Sequence, residues 1–96
     1  MLNQVVITGR IAKTTTKKEE EREYSIITIA VSRSYKNDKG EYETDFIPVF
    51  LSNQISKNVN KYCKKGDLIG VRGKLEKKKN LIVMAERVSF LSSKRD

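Results

Sequence analysis

This 96-residue sequence predicts an all-β fold: a small barrel of five strands with one helix between strands 3 and 4. Three observations carry that prediction. Apolar or β-branched residues recur with a period of two in five separate segments. In one segment only, the apolar spacing changes to that of a helix. Turn chemistry punctuates the boundaries.

The first strand is read from Val5, Ile7, Gly9 and Ile11, which alternate with Val6, Thr8 and Arg10. Residues 13–23 are charged and threonine-rich without periodicity, which predicts a mobile loop. From Tyr24 to Tyr35 the chain is rich in Ile, Thr and Val, the signature of a second strand with Ile27, Ile29 and Val31 inward. Asn37 and Gly40 tolerate positive φ and predict a turn. A third strand over residues 44–51 alternates cleanly, with Ile47, Val49 and Leu51 inward and Phe46, Pro48 and Phe50 outward. Pro48 has no ladder donor, so an edge or bulge is expected there.

Ser52 or Asn53 then caps a helix whose apolar stripe is Ile55, Val59, Tyr62 and Cys63. Lys61, Lys64 and Lys65 suit the negative end of its dipole, and Gly66 is the expected C′ residue. Residues 67–76 return to strand, with Ile69, Val71 and Leu75 inward and Arg72 and Lys74 outward. A short basic turn over 77–80 leads to a last strand over 81–91. The order β-β-β-α-β-β is the connectivity of an OB-fold, whose second and third strands meet oligonucleotides or oligosaccharides. One OB-fold domain is expected over residues 1–92, with a polar C-terminal tail over 93–96.

Composition narrows the function classes. Twenty Lys and Arg stand against 12 Asp and Glu, with no His, for a formal charge of +8. Because Glu19, Glu20, Glu21 and Glu23 cluster, the remainder is more basic still. Such a balance favours polyanions through counterion release. A single cysteine, Cys63, excludes an internal disulfide framework and, without His, the usual zinc-ligand sets. No run reaches the roughly 18 apolar residues of a membrane span, and no secretory signal opens the chain. The expectation is a cytoplasmic protein with no cofactor, no metal and no membrane partner.

Catalysis finds little to work with, because no nucleophile–base pair is evident. Gly70, Gly73 and Lys74 lack phosphate-loop spacing and read better as strand glycines that permit bending or close approach. Binding has more support. Tyr35, Phe46 and Phe50 lie on or beside the hairpin of strands 2 and 3, and the last two lie opposite the core-facing positions. Flat rings stack on unpaired bases while cations hold phosphates, which together point to single-stranded nucleic acid. The candidate nucleic-acid-binding residues are Arg10, Arg33, Tyr35, Phe46, Phe50, Arg72, Lys74 and Lys78. Two readings stay open for Phe50, a base platform or packing under the helix or in a subunit contact. They stay open for Arg33 too, which has Asp45 as a potential partner. Tyr24, Tyr62 and Phe90 read as structural, and Cys63 as a small buried hydrophobe.

The opening residues 1–11, the segment 28–35 ending at Tyr35, Asp45 with Phe46 and Ile47, residues 58–66, Gly73 to Leu75 and Val88 to Leu91 resemble the bacterial single-stranded DNA-binding proteins. The resemblance covers nearly the whole chain in one consistent order. It implies an OB-fold that binds single-stranded DNA with little sequence preference in replication, recombination or repair, as a homo-oligomer, with a tetramer favoured over a dimer. Tyr35 and Phe46 match family stacking aromatics, and Arg10, Arg33, Lys74 and Lys78 match positions that are often basic. Three departures stand out: Ser52 where many members carry an aromatic, a short turn at 77–80, and an end at Asp96 without the acidic tip that recruits repair proteins. They imply fewer stacking platforms, strong salt dependence and no tail-mediated partners. Two rival readings remain, an RNA-binding or primosome-type accessory OB protein and a protein-interaction adaptor.

Overall fold

In the computed structural model, residues 1–19 and 22–93 are described, without the side chains of residues 17–19, 22 and 23. Glu20 and Glu21, the side chains of Glu19 and Glu23, and most of the expected tail therefore lie outside that description. The elements run β1 Val5–Glu19, β2 Arg22–Lys36, β3 Tyr42–Leu51, α1 Asn53–Tyr62, β4 Leu68–Lys77 and β5 Leu81–Ser92. The five strands close into a barrel in the order β1-β2-β3-β5-β4. β3 and β5 meet in parallel at Val49↔Val83 and Phe50↔Met84, and the other ladders are antiparallel.

Alternation selects the core. Ile27 and Ile29 of β2, Val49 and Leu51 of β3, and Ile69 and Val71 of β4 are fully enclosed, joined by Ile11, Val83 and Val59 of the helix. Val31 and Ile47 are half-buried against this cluster. The helix begins as expected, with the Ser52 hydroxyl accepting from the Ile55 N–H at 3.4 Å. It is tied to the barrel by a hydrogen bond between the buried hydroxyls of Ser56 and Ser25.

Four expectations need correction. The stretch after Ile11 is not a loop over its paired length: β1 and β2 stay in register from Lys13↔Thr28 to Glu19↔Arg22. Thr14, Thr15 and Thr16 are β-branched and suit a strand, but residues 13–19 are all polar and have no apolar alternation to reveal it. Gly66 is not the helix C′ residue. The helix closes at Cys63, whose extended backbone donates to the Val59 carbonyl. Gly66, at φ 95°, belongs to the next turn, where its N–H donates to the Ile11 carbonyl. Leu75, expected inside, is 39% exposed, because β4 and β5 run on as a hairpin past the end of the core. Tyr62, placed on the apolar stripe, is 66% exposed.

Pro48 is accommodated as expected of a residue without a donor. It faces Thr28 on one side, and on the other β3 pairs with β5 only from Val49 onward. Gly73 sits at the register shift between β4 and β5, where any Cβ would collide with the Met84 carbonyl. The two backbones approach closely there, which a side chain forbids.

Candidate nucleic-acid interface

The outer face of β3 is set by the same alternation that fills the core. With Ile47, Val49 and Leu51 turned inward, Tyr42, Thr44, Phe46, Pro48 and Phe50 point the other way. Phe46 is 64% exposed and Tyr42 58%. Phe50 is half-buried because the Tyr24 ring stacks on it, with centroids 5.7 Å apart and planes 15° from parallel. The Lys78 ammonium lies 6.0 Å from the Phe50 centroid. A second lysine, Lys36, lies 5.7 Å from the Tyr42 centroid across the β2–β3 ladder. Both separations suit a cation facing an aromatic ring.

Phe50 also leads across the sheet to the cations. Its backbone partner on β5 is Met84, and the partner of Met84 on β4 is Lys74. Lys74 therefore shares the outer face with Phe50 two strand spacings away, about 10 Å. Its ammonium stands 3.8 Å from Glu76, with both side chains well exposed. Arg72, one alternation along β4, is exposed opposite Val6 of β1. Lys78 sits in the β4–β5 turn, where its N–H donates to the Asn80 carbonyl at 3.0 Å.

Tyr35 lies where β2 departs from regular pairing. Between the pairs Ser32↔Thr44 and Lys36↔Tyr42, β2 carries three residues and β3 one, and in this irregular stretch the Tyr35 ring is 62% exposed. The turn beyond is held by the Asn37 side-chain carbonyl, which accepts from the Lys39 and Glu41 N–H groups at 2.9 and 3.0 Å. Gly40 there adopts φ 77°, as expected of a turn glycine.

Two of the candidate arginines, Arg33 and Arg10, have partners within the protein. Arg33 donates from Nε and Nη2 to both carboxylate oxygens of Asp45, at 3.1 and 3.0 Å, and from Nη1 to Glu43 at 2.8 Å. The fork-to-fork hydrogen bonds hold the Asp45 carboxyl below its ordinary value and raise the guanidinium above its own. The partner that the sequence offered for Arg33 is the one it takes. Arg10, at the point where β1 passes from β4 to β2, donates from Nη1 to the Gly66 carbonyl at 3.0 Å. The structure thus brings Phe50, Lys74 and Lys78 together, leaves Phe46, Tyr35 and Arg72 open, and engages Arg33 and Arg10.

Sequence reasoning missed Tyr42 and Lys36. Their signal was available, since Tyr42 shares the parity of Phe46 and Phe50 at spacings of four residues. Of the rings read as structural, Tyr24 is the partner of Phe50. Phe90, 48% exposed, lines an open groove of about 330 Å³ between α1 and β5 with Ile55, Val59 and Tyr62. Cys63, half-buried beside that groove, has its thiol pushed up by burial and by the Asp67 charge, as expected of an inert cysteine. Among the described residues no helix is long and apolar enough to cross a membrane.

Comparison with known proteins follows the same line. The model of the single-strand binding protein family matches residues 2–88. Single-stranded DNA-binding protein 1 of Clostridium acetobutylicum is 35% identical, over 99% of this chain and 98% of its own length. Single-stranded DNA-binding protein B of Bacillus subtilis is 36% identical, over 79% of this chain and 69% of its own. The chain spans about half of a Staphylococcus aureus single-stranded DNA-binding protein at the same identity. In fold, the small single-stranded DNA-binding protein of Streptomyces coelicolor superposes with TM-score 0.75 at 17% identity, over 95% of this chain and 96% of its own. The Plasmodium falciparum single-stranded DNA-binding protein in complex with single-stranded DNA gives 0.76 at 18%, over 96% of each chain. The barrel is an OB-fold.

Proposed function

The chain belongs to the single-strand binding protein family, and from that premise we propose that it binds single-stranded DNA through the outer face of β3 and the basic β4–β5 hairpin. Family members are binding proteins, not enzymes, and so is this one. The observation that carries the reading is Phe46: a phenyl ring 64% exposed on a sheet face, in a chain of charge +8. An exposed ring gains by meeting a flat partner, and each stacked base contributes roughly 1–3 kcal/mol whatever its identity. Duplex DNA hides its base faces, so single strands are preferred.

Phe46, Phe50 and Tyr35 supply stacking surfaces, and Arg72, Lys74 and Lys78 supply the phosphate track. Arg10 flanks that track from β1, tethered to Gly66. Arg33 acts by holding Asp45 and Glu43, two carboxylates of β3 that precede Phe46. The protein covers unpaired strands during replication, recombination or repair, as a homo-oligomer in which a tetramer is favoured over a dimer. Sedimentation equilibrium measures that stoichiometry directly.

Fluorescence anisotropy of labelled poly-dT tests the binding reading, with wild type beside Phe46→Ala and Tyr35→Ala. Affinity falls in both variants while their melting temperatures hold. Equal affinity for all three proteins at every salt concentration overturns the stacking role. An excess of matched RNA oligonucleotide that displaces the DNA with equal potency favours the RNA-binding alternative.

A further inference from the structure

From the geometry of β3 we infer that Tyr42, Phe46 and Phe50 form one row of base platforms, and that Lys36 and Lys78 at its two ends pass from the rings to the phosphates when a strand binds. This rests on the single-strand reading and adds Tyr42 and Lys36 to it. The three rings occupy every fourth residue of one strand and share its outward parity. At about 3.3 Å per residue, neighbouring Cα positions are about 13 Å apart and the row spans about 26 Å. A fully stacked strand, at about 3.4 Å per nucleotide, would lay about eight nucleotides over that span. A strand whose bases are spread onto separate rings takes fewer, within the lower part of the roughly 4–16 nucleotides of an OB-fold site.

The ends of the row differ from its middle. Each end ring has a lysine ammonium facing it, Lys36 at 5.7 Å from Tyr42 and Lys78 at 6.0 Å from Phe50. Phe46 carries no such neighbour among the described contacts and is the most exposed of the three. A base arriving at an end ring displaces a cation that is already within reach of the phosphate beside that base. Cation–π contact with an exposed ring is worth only about 0.5–1 kcal/mol, less than a charge-assisted hydrogen bond to phosphate, so the exchange is favourable. The Tyr24 ring stacked on Phe50 fixes the orientation of that platform. Thr44 and Pro48, between the rings, are short enough to let the strand lie close.

The test is the affinity of labelled dT15 for wild type, Tyr42→Leu, Tyr42→Phe and Lys36→Gln. Tyr42 is exposed, so melting temperatures stay within a degree or two of wild type. Tyr42→Leu lowers affinity about 5-fold or more, the lower bound for one lost stacking contact, and Tyr42→Phe keeps wild-type affinity. Lys36→Gln makes the slope of log affinity against log salt shallower by about 0.7, one phosphate contact on a single strand. Wild-type affinity in Tyr42→Leu overturns the row, as does an unchanged salt slope for Lys36→Gln. Phe46→Ala, measured alongside, separates the two claims. If it loses affinity while Tyr42→Leu does not, the row alone fails. If wild type itself does not bind dT15, the single-strand reading fails with it.

Discussion

The β2–β3 hairpin and the β4–β5 hairpin differ in what they carry. Residues 33–45 hold three cations against four carboxylates and contribute Tyr35 and Tyr42, with Phe46 next in line. Residues 72–80 hold five cations against one carboxylate and no ring. In a chain of charge +8, the ring-bearing hairpin is thus slightly acidic, and the basic hairpin has nothing to stack on. They meet at Phe50, which pairs through Met84 to Lys74 and lies under Lys78. On the proposed reading most of the stacking falls to one hairpin and most of the counterion release to the other, so the two contributions should be largely separable.

Breaking the basic hairpin should have the largest effect. In Gly73→Ala the new methyl meets the Met84 backbone, and overpacking against backbone costs about 3 kcal/mol. Thermal melting should show a fall of several degrees or more, while a melting temperature within one degree of wild type would refute the close approach. Removing the central ring comes next. Phe46→Ala should lose about 2 kcal/mol of poly-dT binding and almost no stability, since the ring is mostly in water. Parallel anisotropy and melting curves check both halves.

Smaller effects sharpen the acidic side of the comparison. Asp45→Asn removes one carboxylate beside the rings and loosens the hold on Arg33, so poly-dT affinity at low salt should rise modestly. The Arg33 hydrogen bonds lower the Asp45 carboxyl in the folded state. Its contribution to stability is therefore present above the ordinary carboxylate value and lost as pH falls through the lowered one. In Asp45→Asn the acid limb of the melting profile should be flatter below about pH 4. A profile that overlays wild type would show that the pair is not formed in solution. The Cys63 thiol, raised by burial, should react with alkylating reagents more slowly than a free thiol at neutral pH, and equal rates would argue against its burial.

Much of the barrel was legible because burial imposes a pattern. Ile27 with Ile29, and Val49 with Leu51, alternate only because one face of each strand is enclosed. The Ser52 cap was legible for a local reason, an orphan N–H at Ile55 that only a short polar side chain satisfies. The outer ends of the hairpins were not. From Lys13 to Glu19 β1 carries no apolar residue, so its threonines and lysines read as a loop until the ladder is seen. Leu75 followed the parity of Ile69 and Val71, but the core ends before it does. In the interface, the Arg33–Asp45 pair was legible as a potential match of charges. Tyr42 was missed because a ring in a charged stretch is noticed only when β3 is followed to its start. The cross-strand link from Phe50 to Lys74 needs the parallel β3–β5 contact, which no local pattern encodes.

The division between rings and cations is tested most directly by salt titrations of poly-dT binding for wild type, Phe46→Ala and the triple variant Lys77→Gln, Lys78→Gln, Lys79→Gln. Plotted as log affinity against log salt, Phe46→Ala should run parallel to wild type at lower affinity. The lysine variant should be shallower, by up to about 2 in slope if all three lysines meet phosphates. Two parallel lines for the two variants, or a flattened slope in Phe46→Ala, would contradict the separation.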